Sequence, residues 1–203
     1  MSCKYCLQES GHSSRCPTNQ GEMRTGKVDA AIQYSGTELE YDLFGKVNKG
    51  PEYEAAYRAM KPDAEGKISW RNAIELAKRF QDGDPVNPKK DFFRELRIAV
   101  QEKLNIDTAR HPDALKAYSS VQTPLDQMGV DAFMTWEKDG EECLVTLDAT
   151  LRVDKIEDGH KADEIITDVP DVEEDEPGYL AAIDVYAGRI AAHFKERTQR
   201  RAA

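Results

Sequence analysis

The chain has 203 residues, 39% hydrophobic and 33% charged, a balance that excludes a disordered chain and supplies a core without a disulfide framework. Its 38 acidic and 28 basic residues leave a net charge of −10, so the whole-molecule field repels phosphate polymers and any nucleic-acid contact has to be local. No apolar run reaches the roughly 18 residues of a membrane helix, and the polar N-terminus is not built like a signal peptide, which reads as a cytoplasmic chain with no membrane partner.

The first element is a cluster of Cys3, Cys6, His12 and Cys16 in the spacing C-x2-C-x5-H-x3-C. Three thiolates and an imidazole this close form a tetrahedral donor set for structural Zn²⁺, and metal binding then supplies the folding free energy of a segment too short to fold by burial. The segment resembles the CCHC zinc knuckle, including Gly11-His12 and Cys16-Pro17, with gaps of x5 and x3 where the knuckle has x4 and x4. Lys4, Tyr5, Arg15, Arg24 and Lys27 make this end locally basic, compatible with nucleic acid and equally with a protein partner. Residues 1–24 are read as this zinc module, and residues 25–87 as a linker and helical segment.

Leu39, Leu43, Phe44, Tyr53, Ala56, Tyr57 and Met60 recur at three-to-four spacing, interrupted at Gly50-Pro51, which predicts two short amphipathic helices. Ser69 is a helix cap for a stripe of Trp70, Ile74, Leu76, Ala77 and Phe80 that ends in the turn Asp82-Gly83-Asp84-Pro85. A further helix is expected from Asn87-Pro88, with Phe92, Phe93, Leu96, Val100 and Leu104 inward.

After Gly129 the period changes from 3.6 to two. Val130 to Trp136 alternate, and Cys143 to Val153 alternate again, with Lys138-Asp139-Gly140-Glu141 between them. Asp-Gly predicts a two-residue type I′ hairpin turn, and that register sets Asp131 opposite Asp148 on one face, with Cβ atoms about 5 Å apart. Like charges so placed need a basic neighbour or a hard divalent cation, and oxygen ligands suit Mg²⁺ or Mn²⁺. A further strand is expected around Ile165 and Ile166, then an acidic loop, Asp171 to Glu176. A C-terminal helix follows, with Tyr179, Ile183, Tyr186, Ile190 and Phe194 inward and Lys195, Arg197, Arg200 and Arg201 at the end that suits its dipole.

The two strands, Gly129-Val130-Asp131-Ala132-Phe133 and Val145-Thr146-Leu147-Asp148-Ala149-Thr150, resemble the core of the restriction-endonuclease-like, or PD-(D/E)xK, nuclease superfamily over about residues 88–203. The resemblance implies an α/β fold, a mixed sheet with a central antiparallel hairpin flanked by helices, and metal-dependent hydrolysis of phosphodiester bonds in DNA or RNA. By position, Asp131 and Asp148 correspond to the metal-binding acids, and Thr150 stands where the family has a lysine that orients or activates the attacking water. Lys155, with Lys161 behind it, is the candidate substitute, and Glu95, or else Glu102, the candidate helix carboxylate. Thr150 and the net negative charge point to a rival, a non-catalytic zinc-containing adaptor that binds nucleic acid or protein. His111, His160 and His193 read as solvated or packing residues, and Cys143 as core rather than nucleophile.

Overall fold

The computed structural model describes residues 35–151 and 161–202. Cys3, Cys6, His12 and Cys16, as well as Lys155 and His160, lie outside the described residues. Among the described residues four helices precede the sheet, and each start has a visible cause. Helix α1 (Gly36–Phe44) opens on a reciprocal cap: the Glu38 N–H donates to Ser35 Oγ at 3.2 Å and the Ser35 N–H to the Glu38 carboxylate at 2.7 Å. Helix α2 (Pro51–Ala59) has proline at its first position, where the missing N–H costs nothing. Helix α3 (Trp70–Arg79) is capped by Ser69, as its sequence requires. Helix α4 (Asp91–Lys103) starts three residues beyond the expected Pro88, because residues 84–90 first form a turn closed by the Asn87 N–H on the Asp84 carbonyl.

Strands β1 (Leu115–Ser119), β2 (Ala132–Lys138), β3 (Glu141–Ala149) and β4 (Glu164–Ile166) lie in the order β1-β2-β3-β4. The first three are antiparallel and β4 runs parallel to β3, so the sheet is mixed. The β2–β3 ladder runs from Lys138↔Glu141 to Ala132↔Leu147, the register that the Asp-Gly turn predicts. Asp139 (φ 55°) and Gly140 (φ 80°) are both left-handed, as a type I′ turn needs to follow the right-handed twist of its strands. Strand β3 ends at Ala149 although its alternation runs on to Val153: the Thr150 N–H still reaches the Ile166 carbonyl at 3.0 Å, but Leu151 is 53% exposed.

Helix α5 (Glu176–Ala202) closes the fold. Alternation divides the sheet residues between two cores. Ala132, Met134, Trp136, Val145 and Leu147 face α1, α4 and α5, through Phe44, Phe93, Leu96, Ile183, Ile190 and Phe194. Tyr118, Phe133 and partly buried Leu144 face the other way, against Tyr53 of α2, Ala73, Leu76 and Ala77 of α3, and Leu125. Where the sequence reading separates residues 25–87 from 88–203, the structure joins their described parts: Ser35–Ala203 is one unit, and α1 to α3 cover both faces of the same sheet. Cys143 is buried among the apolar residues of the first core. Among the described residues no helix is long and apolar enough to cross a membrane.

Candidate metal centre

Asp131 sits one residue before β2, where the ladder ends. Its N–H donates to the Leu147 carbonyl at 2.9 Å and its carbonyl accepts the Ser120 N–H at 2.7 Å, so the backbone is tied to both neighbouring strands. Its carboxylate reaches along the end of β3 and accepts the Ala149 N–H at 2.8 Å. Asp148, within β3, stands opposite Ile165 of β4. Both aspartates are buried, at 2% and 3% exposure. The Asp131 carboxyl is pushed up to about 8, first by burial and then by the charges of Asp148, Glu40 and Asp126, with the Ala149 N–H pulling the other way.

Two further acids meet Asp131 from elsewhere in the chain. Glu40 comes from α1, and Asp126 opens a single 3₁₀ turn, Asp126–Met128. Carboxylate oxygens of Glu40, Asp126 and Asp131 all lie within 4.8 Å of one another. The loop that carries Asp126 is built to hold it. Thr123 Oγ1 donates to the Ser120 carbonyl and accepts the Leu125 N–H, Ser120 Oγ donates to the Val130 carbonyl, and the Gln122 N–H donates to the Asp126 carboxylate at 2.6 Å. Gln122 adopts a left-handed φ of 61° to make that last bond, and Gly129 at φ 83° ends the 3₁₀ turn so that the chain can enter β2.

Other acids at this end of the sheet have basic partners. Arg197 of α5 bonds Asp163, Arg189 lies 3.1 Å from Glu164, and His193 lies 3.8 Å from the same carboxylate. Among the described residues Asp131 has no ion pair, and the donor to its carboxylate is a backbone amide. Hard oxygen donors, close-set and drawn from three separate segments, fit Mg²⁺ or Mn²⁺ better than a soft transition metal.

The sequence reading places Asp131 and Asp148 here; Asp131 is one of the three close-set acids, while Asp148 is not among them and reaches Asp131 through its charge. Glu95 lies on α4 near the Tyr179 phenol of α5, whose pKa burial and then the Glu95 charge raise, and the acids gathered at Asp131 do not include it. The helix carboxylate in the cluster is Glu40. Lys161 is exposed and its Cβ lies against Gly129, two residues from Asp131. Thr150 is buried beside Asp148. Sequence reasoning missed Glu40 and Asp126. Asp126 had a signal in the spacing Asp126-Gln127-Met128-Gly129-Val130-Asp131, a turn that returns the chain to its starting level; Glu40 had none beyond being an acid on an amphipathic helix. Comparison with family models, with curated proteins and with solved structures yields no match.

Proposed function

We propose that the protein is a metal-dependent nuclease that hydrolyses phosphodiester bonds of DNA or RNA on a restriction-endonuclease-like core. The observation that carries this reading is the meeting of Glu40, Asp126 and Asp131 within 4.8 Å at the end of a hairpin that also bears Asp148. Asp131 and Asp148 would hold Mg²⁺ or Mn²⁺, with Glu40 and Asp126 completing the oxygen donors. When bound, such an ion supplies positive charge at the phosphate and lowers the pKa of a water ligand. The protein's own part is to fix the acids: the Ala149 N–H orients the Asp131 carboxylate, and the Gln122 N–H orients that of Asp126. Lys155 is assigned to assist the attacking water, and Cys3, Cys6, His12 and Cys16 to a structural Zn²⁺ module that engages nucleic acid or a protein partner.

Thr150 in the lysine position favours a second reading, a zinc-containing adaptor on a degenerate nuclease-like core. Calorimetric titration of Mn²⁺ into wild type and Asp131→Ala/Asp148→Ala, with a Mg²⁺-dependent cleavage assay on plasmid DNA and on RNA, separates the two. Nuclease action requires Mn²⁺ binding that the double variant loses and cleavage that Asp148→Asn abolishes with the fold intact. Wild type that binds Mn²⁺ but cleaves neither polymer leaves the adaptor, and cleavage retained by Asp148→Asn removes the proposed site.

A further inference from the structure

The acidic cluster adjoins a basic cleft. Tyr41, Lys46, Asn48, Lys49, Asp82 and Gln122 line a cavity of about 520 Å³, and Tyr41, Lys46 and Asp82 continue into another of about 300 Å³ that Asp84, Lys89 and Lys90 border. One hydrogen bond ties this cleft to the carboxylates, the Gln122 N–H to Asp126 at 2.6 Å, and Tyr41 directly follows Glu40 in α1. The charges of Asp126 and Glu40 reach the Tyr41 phenol and, after burial, help to raise its pKa.

In a chain with ten more acids than bases, four lysines against Asp82 and Asp84 on one depression are a local reversal of sign. They are not equivalent. Lys89 is 2.7 Å from Asp82 and Lys90 is 3.4 Å from Asp42, so both are partly neutralised. Lys46 and Lys49 are exposed and hold no ion pair among the described residues; the Lys49 ammonium lies 5.9 Å over the Tyr53 ring. A ligand that approaches carboxylates neutralised by a cation, past two exposed ammonium groups and one aromatic ring, is an extended anion with planar groups. Tyr41 offers a ring that only the unpaired base of a single strand can face. Single strands are bound this way, by a positive groove along the phosphates and aromatic rings under the bases.

We propose that this cleft carries a single strand of nucleic acid, with phosphates on Lys46 and Lys49 and a base against Tyr41, and leads it to Glu40, Asp126 and Asp131. The proposal rests on the nuclease reading of that cluster and narrows its substrate to single-stranded chain.

The test uses the full chain and a fluorescent oligothymidylate of about twelve nucleotides, within the site sizes of single-strand grooves. Anisotropy is read in Ca²⁺, for wild type and Lys46→Glu/Lys49→Glu, over a series of salt concentrations. The expected result is binding at least about tenfold weaker in the variant, with the log–log salt slope reduced by about 1.4, since each phosphate contact on a single strand contributes about 0.7. A duplex of equal length is expected to bind wild type more weakly than the single strand. Lys46→Gln/Lys49→Gln removes charge without reversing it, and an unchanged denaturation midpoint shows that either variant is folded. Equal affinity in wild type and both variants, or tighter binding of the duplex, overturns the proposal. Mn²⁺ calorimetry on the same samples keeps the two claims apart: lysine-dependent strand binding without Mn²⁺ binding sinks the nuclease reading alone, and Mn²⁺ binding with lysine-independent strand binding sinks the cleft alone.

Discussion

Asp131→Asn should make the metal-free protein more stable, and increasingly so as the pH rises. The Asp131 carboxyl titrates near 8 in the fold against 3.8 in an exposed chain. Between those values the unfolded chain has released the proton and the folded chain retains it, so wild-type stability falls as pH rises through that window and levels off above about 8. At about 1.36 kcal/mol per pH unit the displacement sets a ceiling of about 6 kcal/mol, which relaxation and entry of water reduce; an effect of about 2–4 kcal/mol above pH 8 is expected. Asparagine keeps an oxygen for the Ala149 N–H and turns an amide donor towards the remaining carboxylates, so the substitution removes the charge without stranding a buried group. The assay is urea denaturation in EDTA at pH 5, 7 and 9. The variant should gain most at pH 9, and saturating Mn²⁺ should narrow the gap, since an ion at about one hundred times its dissociation constant stabilises wild type by about 2.7 kcal/mol and a variant that binds it about tenfold more weakly by about 1.4 kcal/mol. A variant less stable than wild type at pH 9, or a difference that does not change with pH, would refute the reasoning that buried like charges dominate this site.

Three further outcomes follow from the geometry. Glu40→Gln and Asp126→Asn should each weaken Mn²⁺ binding by about tenfold or more in calorimetry, a loss of about 1.4 kcal/mol per ligand, while Glu95→Gln, outside the three close-set acids, leaves it unchanged. Gly140→Ala meets no atom within 4 Å but is held at φ 80°, so it should cost about 1–2 kcal/mol in denaturation without altering the register, which amide exchange across β2 and β3 would report. Elemental analysis should find one zinc per chain, lost in Cys3→Ser/Cys6→Ser, with the denaturation midpoint of the Ser35–Ala203 unit unchanged.

The hairpin was legible because two independent signals, period-two alternation and Asp-Gly, fix one register between them. The stripes of α3 to α5 were legible for the same reason, each apolar position recurring at helical spacing around a cap or a turn. Strand β1 was not. Leu115-Lys116-Ala117-Tyr118-Ser119 is short and only Lys116 breaks its burial, so the packing of the strand against β2 and the helices erases the alternation that would reveal it. Glu40 was illegible for a deeper reason: about ninety residues separate it from Asp131 in sequence, and only the packing of α1 through Leu43 and Phe44 on the sheet brings them together. A sequence shows a ligand pair when one secondary element holds both members, and hides it when the tertiary fold is the element.

The same packing argues about purpose. This end of the sheet carries Asp163 and Glu164 as well, and the fold supplies α5 arginines to both, so the means of neutralising a carboxylate here were available to it. The Asp131 carboxylate itself accepts a backbone N–H and feels the charges of Asp148, Glu40 and Asp126. Such an arrangement lowers stability in the metal-free state at every pH above the ordinary range of a carboxyl group. Packing alone does not account for it, because an asparagine or a serine would fill the space and accept the same hydrogen bond at lower cost. The proposed cation, held jointly by the acids, would account for it and would fix the direction of the coupling: the proton on Asp131 and the cation would compete, so metal affinity should rise with pH until about 8 and then plateau. Mn²⁺ affinity measured from pH 6 to pH 9 tests this directly. A flat profile would mean that Asp131 is already ionised at pH 6, and that burial among like charges does not govern its proton.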